Sequence, residues 1–283
     1  MEPKFGASLL SWISPKWTPE GGLYAIQQTS KSGFDLLEIL LPPTMEFDAR
    51  MVKKQLNACD LQAVCSFNLP KEAHIPFYPK EAVRLIKQAL DKTALLDVDF
   101  LGGVLHSGIG VFSGYQRTKE EESILCDVWS EIAVYALKLG ITVGIEPINR
   151  YESYVCTSAA EVLFFINQVN MPNLVLHLDT FHMNIEESDF YNPVIIAGDK
   201  LRHLHMTESD RGMLGEGNVH WDDLFRGLSQ IDFKGNLVLE NFTNQISGMA
   251  GAVSLWRPSK YNALELAKGS LEFMRKMVQK YQR

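Results

Sequence analysis

The sequence predicts an α/β fold in which the chain closes a parallel (β/α)₈ barrel. Eight short apolar runs that end in polar or turn residues recur along the 283 residues, and amphipathic stretches lie between them. Eight strand–helix units in this length average about 35 residues each, close to the minimum for a parallel crossover unit. Little chain is left for a second domain, so we expect residues 1–283 to form a single barrel domain.

The eight predicted strands share an apolar body and a polar end. They cover residues 4–12, 35–42, 61–69, 100–107, 142–149, 174–182, 201–209 and 235–242. Runs of this length bounded by polar or turn residues are typical of buried strands.

The segments between the strands place their apolar residues at helical spacing and their charges on the opposite face. The clearest of them cover residues 81–96, 122–140, 159–169 and 263–279. Gly140 and Gly198 lie where helices are expected to end. A doubly wound open sheet is the alternative, but no glycine-rich phosphate-binding motif follows the first strand. The closed barrel is therefore the preferred fold.

The composition and charge argue against a nucleic-acid partner. With 46% hydrophobic and 22% charged residues, the chain has the composition of an ordinary globular protein. Its net charge is −7, and its 27 lysines and arginines are not gathered in an extended basic run. Because binding to nucleic-acid phosphates requires clustered basic residues, we expect no nucleic-acid partner.

The cysteines and the N-terminus predict a cytoplasmic protein. Cys59, Cys65, Cys126 and Cys156 have neither the CxxC spacing of a metal site nor the density of a secreted disulfide scaffold. The N-terminus lacks a basic segment followed by a long apolar stretch, and no run approaches the roughly 18 apolar residues of a membrane span. We therefore expect reduced thiols and no membrane partner.

Four polar residues occupy the C-terminal ends of four consecutive predicted strands. They are Glu146, Asp179, His205 and Glu240, in the runs VGIE, VLHLD, LRHLH and LVLE. The C-terminal ends of barrel strands form the active-site face, so these side chains should meet. Three carboxylates and one imidazole suit Mn²⁺ or Mg²⁺ and tolerate Co²⁺. A polar strand end facing water is the ordinary alternative for any one of them, but four in register argue for a metal site.

The alternation of side chains along the strands supports this interpretation. On the sixth strand, Asp179 shares its face with His177. On the seventh strand, His205 shares its face with His203, whereas Leu204 points towards the helices. The candidate ligands therefore point into the barrel.

The two glutamates suggest a reaction. Glu146 on the fifth strand and Glu240 on the eighth should approach the site from nearly opposite sides, with the other two ligands between them. One carboxylate would remove a proton from a carbon beside a carbonyl, a metal would stabilise the oxygens of the cis-enediolate, and the other carboxylate would return a proton to the opposite face. A ketose would be epimerised at the carbon beside its ketone.

Five segments around these residues resemble the D-tagatose 3-epimerase group of ketose 3-epimerases. They are GIEPINRYE (144–152), HLDTFHMNIEE (177–187), HLHMTESDRGMLGEGNVHW (203–221), LVLENF (237–242) and LWRP (255–258). That group includes the D-psicose (allulose) and L-ribulose 3-epimerases within the xylose isomerase-like TIM barrel superfamily. The resemblance runs from the first strand to the last helix and is most specific in residues 177–221.

The resemblance implies Mn²⁺, with Co²⁺ or Mg²⁺ as substitutes, held by the four candidate ligands, and no organic cofactor. Glu146 and Glu240 would then be both ligands and catalytic acid/base residues. Glu152, His182 and Arg211 would bind the hydroxyls of a small-molecule sugar substrate. The resemblance also implies a homodimer or a homotetramer.

Each of the three substrate-binding candidates has an ordinary alternative. Glu152 could pair with Arg150 at the surface, and His182 could cap a helix. Arg211 could be a solvated loop residue, although the glycine-rich loop RGMLGEG that it begins could close over the site.

Further residues at or just past predicted strand ends could shape the pocket and exclude water, or could belong to the ordinary core. They are Trp12, Cys65, Leu105, His106 and Phe242. Glu38 ends the second strand and could orient a ligand histidine, or it could be a satisfied carboxylate at the barrel mouth.

The sequence leaves several alternatives open. An aldose–ketose isomerase and an inosose dehydratase of the same superfamily could use the same metal chemistry, and a sugar-binding protein without activity is the least favoured alternative. The early loops KEAHIPFY (71–78) and SGIGVFSGY (107–115) depart from the ketose 3-epimerase group, so sugar chain length stays open. The segment NQISGMAGAVS (244–254) could provide a phosphate site.

A metal-dependent apurinic endonuclease shares this barrel and is a remote alternative, since DTFH (179–182) and His106 faintly resemble it. That enzyme needs more histidines than the seven present here, and a basic face.

Overall fold

The computed structural model describes residues 1–282 and contains eight parallel strands that close into a barrel in chain order. The strands are β1 (Lys4–Ser8), β2 (Leu36–Leu40), β3 (Gln62–Ser66), β4 (Phe100–Gly102), β5 (Thr142–Ile145), β6 (Leu174–Asp179), β7 (Leu201–Met206) and β8 (Asn236–Leu239). β1 pairs with both β2 and β8, which closes the ring. The predicted (β/α)₈ barrel is confirmed.

The helices lie between the strands and follow the last one. They are α1 (Pro19–Ser32), α2 (Ala49–Ala58), α3 (Pro79–Leu95), α4 (Lys119–Lys138), α5 (Ala159–Val169), α6 (Thr180–Glu186), α7 (Asn192–Ala197), α8 (Trp221–Gln230), α9 (Met249–Ala252) and α10 (Ala263–Tyr281). Gly140 follows α4 and Gly198 ends α7, both with positive φ, as the sequence predicts. No helix within residues 1–282 is long and apolar enough to cross a membrane.

The strands are shorter than the apolar runs that predict them. The first run was expected to continue to residue 12, but β1 ends at Ser8 and a 3₁₀-helix covers Leu9–Ser11. Leu9 and Leu10 are nevertheless buried, because the chain packs over the barrel mouth after leaving the sheet. An apolar run therefore indicates buried residues, and it overestimates the length of a strand where the loop after that strand is buried as well.

The barrel interior is filled by an apolar layer below a polar one. The apolar layer consists of Leu36, Val64, Phe100, Val175 and Val238. A Cβ atom at Gly144 would lie 2.7 Å from Cζ of Phe100, so glycine is required for this ring to fit. Phe100 stacks on His203, the first ring of the polar layer above it. The apolar layer thus borders the buried histidines directly.

Candidate active site

The four candidate ligands extend from adjacent strands at one end of the barrel. Asp179 ends β6 and is paired in register with His205 of β7. Glu146 and Glu240 each follow their strand by one residue, and their backbone N–H groups donate to the carbonyls of Gly103 and Met206 at 3.1 and 3.2 Å. The sheet therefore fixes the backbone of all four positions.

The four side chains, which we call the ligand cluster, converge on a buried space. Nδ1 of His205 lies 3.3 Å from Oε1 of Glu146 and 3.7 Å from Oε2 of Glu240. Ligand atoms of Asp179, His205 and Glu240 lie within 4.8 Å of one another. Asp179 also caps α6, because its Oδ1 accepts the N–H of Phe181 at 2.9 Å, which leaves Oδ2 for the site. The structure brings all four predicted ligands together.

Crowding of carboxylates in this space alters their protonation. Burial, with the charges of Asp179 and Glu146, raises the pKa of Glu240 to about 7. Burial likewise raises the pKa of Glu146, although His205 opposes the shift. Burial would also raise the pKa of Asp179, but His182, Arg211 and His205 hold it below its ordinary value. The positive charges beside the ligand cluster therefore do not fully compensate its three carboxylates.

The cluster fits a hard divalent cation. Nδ1 of His205 is buried, points towards two carboxylates, and has no hydrogen-bond partner among the described residues. An imidazole nitrogen with three carboxylates forms a donor set that suits Mn²⁺ or Mg²⁺. A cation would also compensate the buried negative charge. This buried His/Glu/Asp cluster could therefore bind a metal.

A second polar group, which we call the support cluster, lies directly beneath the first. It consists of Glu38, Ser66, His177 and His203, all buried. Oε2 of Glu38 lies 2.6 Å from Nε2 of His203 and 3.0 Å from Nε2 of His205, and the Ser66 hydroxyl donates to Oε1 at 3.0 Å. Burial would raise the pKa of Glu38, but His205 and His203 hold it well below its usual value. Glu38 thus contacts a candidate ligand histidine, as the sequence suggested.

His182 presents a defined donor to the site. Its Nδ1 accepts hydrogen bonds from the backbone and side-chain amides of Asn149 at 3.2 and 2.9 Å, so Nε2 carries the proton. Burial, with Arg211 and His205, lowers the pKa of His182 to about 3, so the ring is neutral. Nε2 lies 3.6 Å from Oδ2 of Asp179. The N–H group therefore faces the ligand cluster.

Arg211 is held over the carboxylates rather than in solvent. Its Nη1 lies 2.8 Å from Oε2 of Glu240 and 3.5 Å from Oδ2 of Asp179. The guanidinium lies 4.0 Å from the ring centroid of Phe181 and 4.9 Å from that of Phe242. Its backbone has φ +60°, a left-handed conformation that costs a non-glycine residue energy. This strained backbone aims the guanidinium at the site.

Glu152 does not form the surface pair that was its ordinary alternative. Arg150 instead binds Glu186 through Nε at 2.9 Å. Burial would lower the pKa of Arg211, but the charges of Asp179, Glu240 and Glu152 raise it. His182 and Arg211 therefore contact the ligand cluster, whereas Glu152 acts on Arg211 through its charge.

Comparison with known proteins assigns the chain to a family. A sequence model described as "Xylose isomerase-like TIM barrel" matches residues 26–277. The chain belongs to the xylose isomerase-like TIM barrel family. It is 32% identical to an L-ribulose 3-epimerase of Methylomonas sp. and to a ketose 3-epimerase of Arthrobacter globiformis, with 96% of this chain and 96% of each relative covered.

The solved structures give the same result. A D-allulose 3-epimerase from Methylomonas sp., solved in complex with D-allulose, superposes with a TM-score of 0.91 at 32% identity, covering 98% of this chain and 97% of the other. The resemblance to ketose 3-epimerases seen in the sequence motifs is confirmed. These relatives are named epimerases, which are enzymes of the isomerase class.

The five residues that the sequence predicts could shape the pocket fall into two groups in the structure. His106 and Phe242 border the ligand cluster: Nε2 of His106 donates to the carbonyl of Glu146 at 2.9 Å, and Phe242 packs against Arg211. The other three belong to the main hydrophobic core, which was their ordinary alternative. They are Trp12, Cys65 and Leu105.

Cys65 requires a correction. Its neighbours Val64 and Ser66 point into the barrel, so alternation directs Cys65 outwards to the helices. Burial raises the pKa of its thiol to about 12, which makes it an inert core residue. Its position near a strand end predicted a pocket residue, but the face of the strand that carries a side chain determines whether that side chain lines the pocket.

One important residue, Glu208, was missed from the sequence. Its buried carboxylate accepts the N–H groups of Gly215 and Val219 at 2.9 and 3.1 Å and the indole N–H of Trp221 at 2.9 Å. A Cβ atom at Gly217 would lie 2.4 Å from Oε1 of Glu208, so glycine is required there. These bonds anchor the loop that begins at Arg211. The only available signal was an acidic residue just after β7 followed by a glycine-rich segment.

Proposed function

We propose that the protein is a metal-dependent ketose 3-epimerase that inverts C3 of a free ketose of the D-tagatose, D-fructose, D-psicose or L-ribulose type. One observation carries the proposal: two carboxylates, buried Glu146 and partly buried Glu240, flank Nδ1 of His205 at 3.3 and 3.7 Å. An inversion by proton transfer needs an acid/base group on each face of the reacting carbon. The names of the similar proteins, L-ribulose 3-epimerase and ketose 3-epimerase, support the same reaction.

The metal of this proposal is Mn²⁺, with Co²⁺ or Mg²⁺ as substitutes, held by Glu146, Asp179, His205 and Glu240. A bound divalent cation supplies Lewis-acid stabilisation of negative charge on the substrate oxygens. Asp179 suits a purely structural ligand, because its lowered pKa keeps it ionised and its Oδ1 is fixed by the helix N-terminus.

The two glutamates exchange protons with C3. One carboxylate takes the C3 proton, the electron pair of that C–H bond passes into the C2–C3 bond, and the ketone oxygen gains negative charge. The other glutamate, entering the step as the acid, then donates a proton to the opposite face of C3. Either carboxylate can act as the base when ionised and as the acid when protonated. The reverse reaction exchanges the two roles.

Three surrounding residues orient the sugar in this proposal. The Nε2–H group of neutral His182 donates to a substrate oxygen, and Arg211 donates to another while it stays bonded to Glu240. Glu152 accepts from a hydroxyl. His106 fixes the backbone carbonyl of Glu146 and so holds that carboxylate in place.

The proposal also covers the domain organisation, the assembly and the compartment of the protein. We infer one domain over residues 1–283 and assembly as a homodimer or homotetramer, as the family resemblance implies. The described cysteines are all free, which agrees with the expectation of a cytoplasmic protein.

Proton exchange into a ketose in heavy water tests the function. Protein stripped of metal and protein loaded with Mn²⁺ are each incubated with D-tagatose, D-fructose, D-psicose and L-ribulose, and NMR follows the sugar after the protein is removed. We expect metal-dependent deuterium incorporation at C3 together with the C3 epimer. Exchange at C1 with an aldose product would identify an aldose–ketose isomerase, and no exchange in any ketose would reject the proposal.

A variant separates an enzyme from a sugar-binding protein. Glu240→Gln should lose turnover but retain sugar binding measured by calorimetry. The matched control is Glu272→Gln, which removes an exposed carboxylate bonded to Lys276 on α10 and should behave as wild type.

A further inference from the structure

The carboxylate of Glu38 has no free capacity to bind a metal. Glu38 is 1% exposed and lies at the base of the ligand cluster. Oε1 accepts from Ser66 at 3.0 Å and from His205 at 3.1 Å, and Oε2 accepts from His203 at 2.6 Å and from His205 at 3.0 Å. These are three donors, since the Nε2–H group of His205 is shared between the two oxygens, and together they engage both oxygens of the carboxylate.

The contact with Glu38 selects the tautomer of His205. An ionised carboxylate can only accept hydrogen bonds, so Nε2 of His205 carries a proton. In the neutral ring Nδ1 then holds the lone pair, and this nitrogen faces Glu146 and Glu240. The opposite tautomer would direct the Nε2 lone pair at the Glu38 carboxylate and put a proton where a metal would bind. Glu38 thus prepares His205 as an Nδ1 ligand.

His203 is fixed in the same way from both sides. Its Nε2–H donates to Glu38 at 2.6 Å, and the side-chain amide of Asn236 lies 3.5 Å from its Nδ1. The ring also stacks on Phe100, with centroids 4.8 Å apart. His203 therefore holds the Glu38 carboxylate against His205 and has no lone pair directed at the cluster.

His177 is the remaining ring of the cluster, and it also lacks a lone pair for a metal. Its Nδ1 accepts the backbone N–H of Gly103 at 3.2 Å. The proton of the neutral ring must then be on Nε2, which is buried and has no acceptor within the described chain. Ligation through Nε2 would require a proton on Nδ1, directly opposed to the N–H of Gly103.

Glu38, His177, His203 and His205 nevertheless have ligand atoms within 4.8 Å of one another, a spacing that would suit a second metal. We propose instead that Glu38 is a positioning residue: with His203 it fixes the ring and tautomer of His205 for one metal in the ligand cluster, and the support cluster holds no metal. This inference rests on the metal site of the proposed function.

Metal titration of two variants tests the proposal. Glu38→Gln replaces one acceptor oxygen by an NH₂ group, which would oppose the N–H group of His205 in either orientation of the amide, because that N–H faces both oxygens of Glu38. Loss of such a supporting contact typically costs about 10- to 100-fold in metal affinity. Ser66→Ala is the matched control, because it removes a donor from the same carboxylate and leaves both imidazole contacts intact. Calorimetry with Mn²⁺ measures the affinity and the number of ions per chain.

The expected results are one Mn²⁺ per wild-type chain, a 10- to 100-fold weaker affinity in Glu38→Gln, and near wild-type affinity in Ser66→Ala. In protein with ¹⁵N-labelled histidine and bound Mg²⁺, NMR should show the Nε2–H protons of His203 and His205 at the low field of strong hydrogen bonds. Glu38→Gln should lose the signal of His205, whose N–H faces both positions of the carboxylate, while the circular dichroism of the fold is retained. A purely structural role would not move these signals selectively.

Other outcomes would overturn the proposal. Unchanged Mn²⁺ affinity in folded Glu38→Gln would remove the positioning role, and two ions per wild-type chain would establish the second metal site. If Glu38→Gln does not fold, Glu38→Asp applies the same test, because the shorter carboxylate cannot reach both imidazoles and affinity should still fall. Wild-type protein that binds one Mn²⁺ but epimerises no ketose would reject the proposed function alone.

Discussion

The ligand cluster and the support cluster are both buried and rich in acidic and imidazole groups, but their electrostatics differ. In the support cluster the carboxylate of Glu38 meets three donors, and its pKa lies well below the usual value. In the ligand cluster the pKa values of Glu146 and Glu240 are raised, and Nδ1 of His205 has no hydrogen-bond partner among residues 1–282. The acidic charge of the first cluster is compensated internally, whereas the second has an excess of acidic groups that a cation could compensate.

The difference shows how one barrel separates the residues that hold a histidine in place from the residues proposed to bind a metal and transfer protons. His205 belongs to both clusters: Nε2 faces Glu38, and Nδ1 faces the carboxylates of Glu146 and Glu240. A compensated layer underneath keeps the ring in place without competing for the metal. An uncompensated layer above retains the charge that a cation and a substrate can use. Substitutions in the two layers should therefore differ in size and in kind.

The largest effect is expected in the ligand cluster. Glu240→Gln removes a group that we propose acts in proton transfer, and loss of such a group costs about 10²- to 10⁴-fold in rate. We expect kcat for ketose epimerisation to fall by at least that amount, as measured by NMR of the C3 epimer. A kcat within tenfold of wild type would show that Glu240 is not a catalytic group.

A smaller effect is expected for the arginine above the same cluster. Arg211→Lys keeps the charge but loses the flat guanidinium between Phe181 and Phe242, so kcat/KM should fall by about 10- to 100-fold through poorer substrate orientation. Mn²⁺ affinity should not weaken, because Arg211 is not a ligand. Arg150→Lys is the control, since Arg150 binds Glu186 away from the cluster. Equal losses in both variants would contradict the account.

Metal should stabilise the protein through the ligand cluster alone. At a free Mn²⁺ concentration one hundred times Kd, binding to the folded state adds about 2.7 kcal/mol to the free energy of unfolding, which raises Tm by several degrees. Thermal unfolding with and without a chelator measures the shift. Asp179→Asn should greatly reduce the shift, because it neutralises a proposed ligand. A full shift in that variant would place the metal elsewhere.

The smallest effect is expected in the support cluster. Ser66→Ala leaves Glu38 with both imidazole donors, so the free energy of unfolding should fall by only about 1 kcal/mol. Because the variant does not touch the ligand cluster, kcat should stay close to wild type. Chemical denaturation and the epimerase assay measure the two quantities. A large loss of kcat would show that the two clusters are not separable in this way.

Much of this architecture could be predicted from the sequence, because its determinants are local. Strand-like runs with a polar residue at the C-terminal end marked Glu146, Asp179, His205 and Glu240, and alternation along a strand gave their direction. For these four residues a period of two and a known chain direction were enough. For Glu38 the sequence left two alternatives open, a support for a ligand histidine and a satisfied carboxylate at the barrel mouth.

The remainder depends on contacts between distant segments. Arg211 is held by Phe181 and Phe242 from two other loops, and Glu208 gathers donors across its own loop through a close approach that only glycine at 217 permits. Strand ends were also misjudged, because buried loop residues such as Leu9 are as apolar as strand residues. Cys65 shows that position along a strand must be combined with its face.

Anomalous X-ray scattering from crystals grown with Mn²⁺ tests the contrast between the two clusters most directly. The account predicts a single manganese peak per chain, surrounded by Glu146, Asp179, Nδ1 of His205 and Glu240, with Glu38 still bonded to Nε2 of His205. A peak among Glu38, His177 and His203, or no peak in the ligand cluster at saturating Mn²⁺, would contradict it.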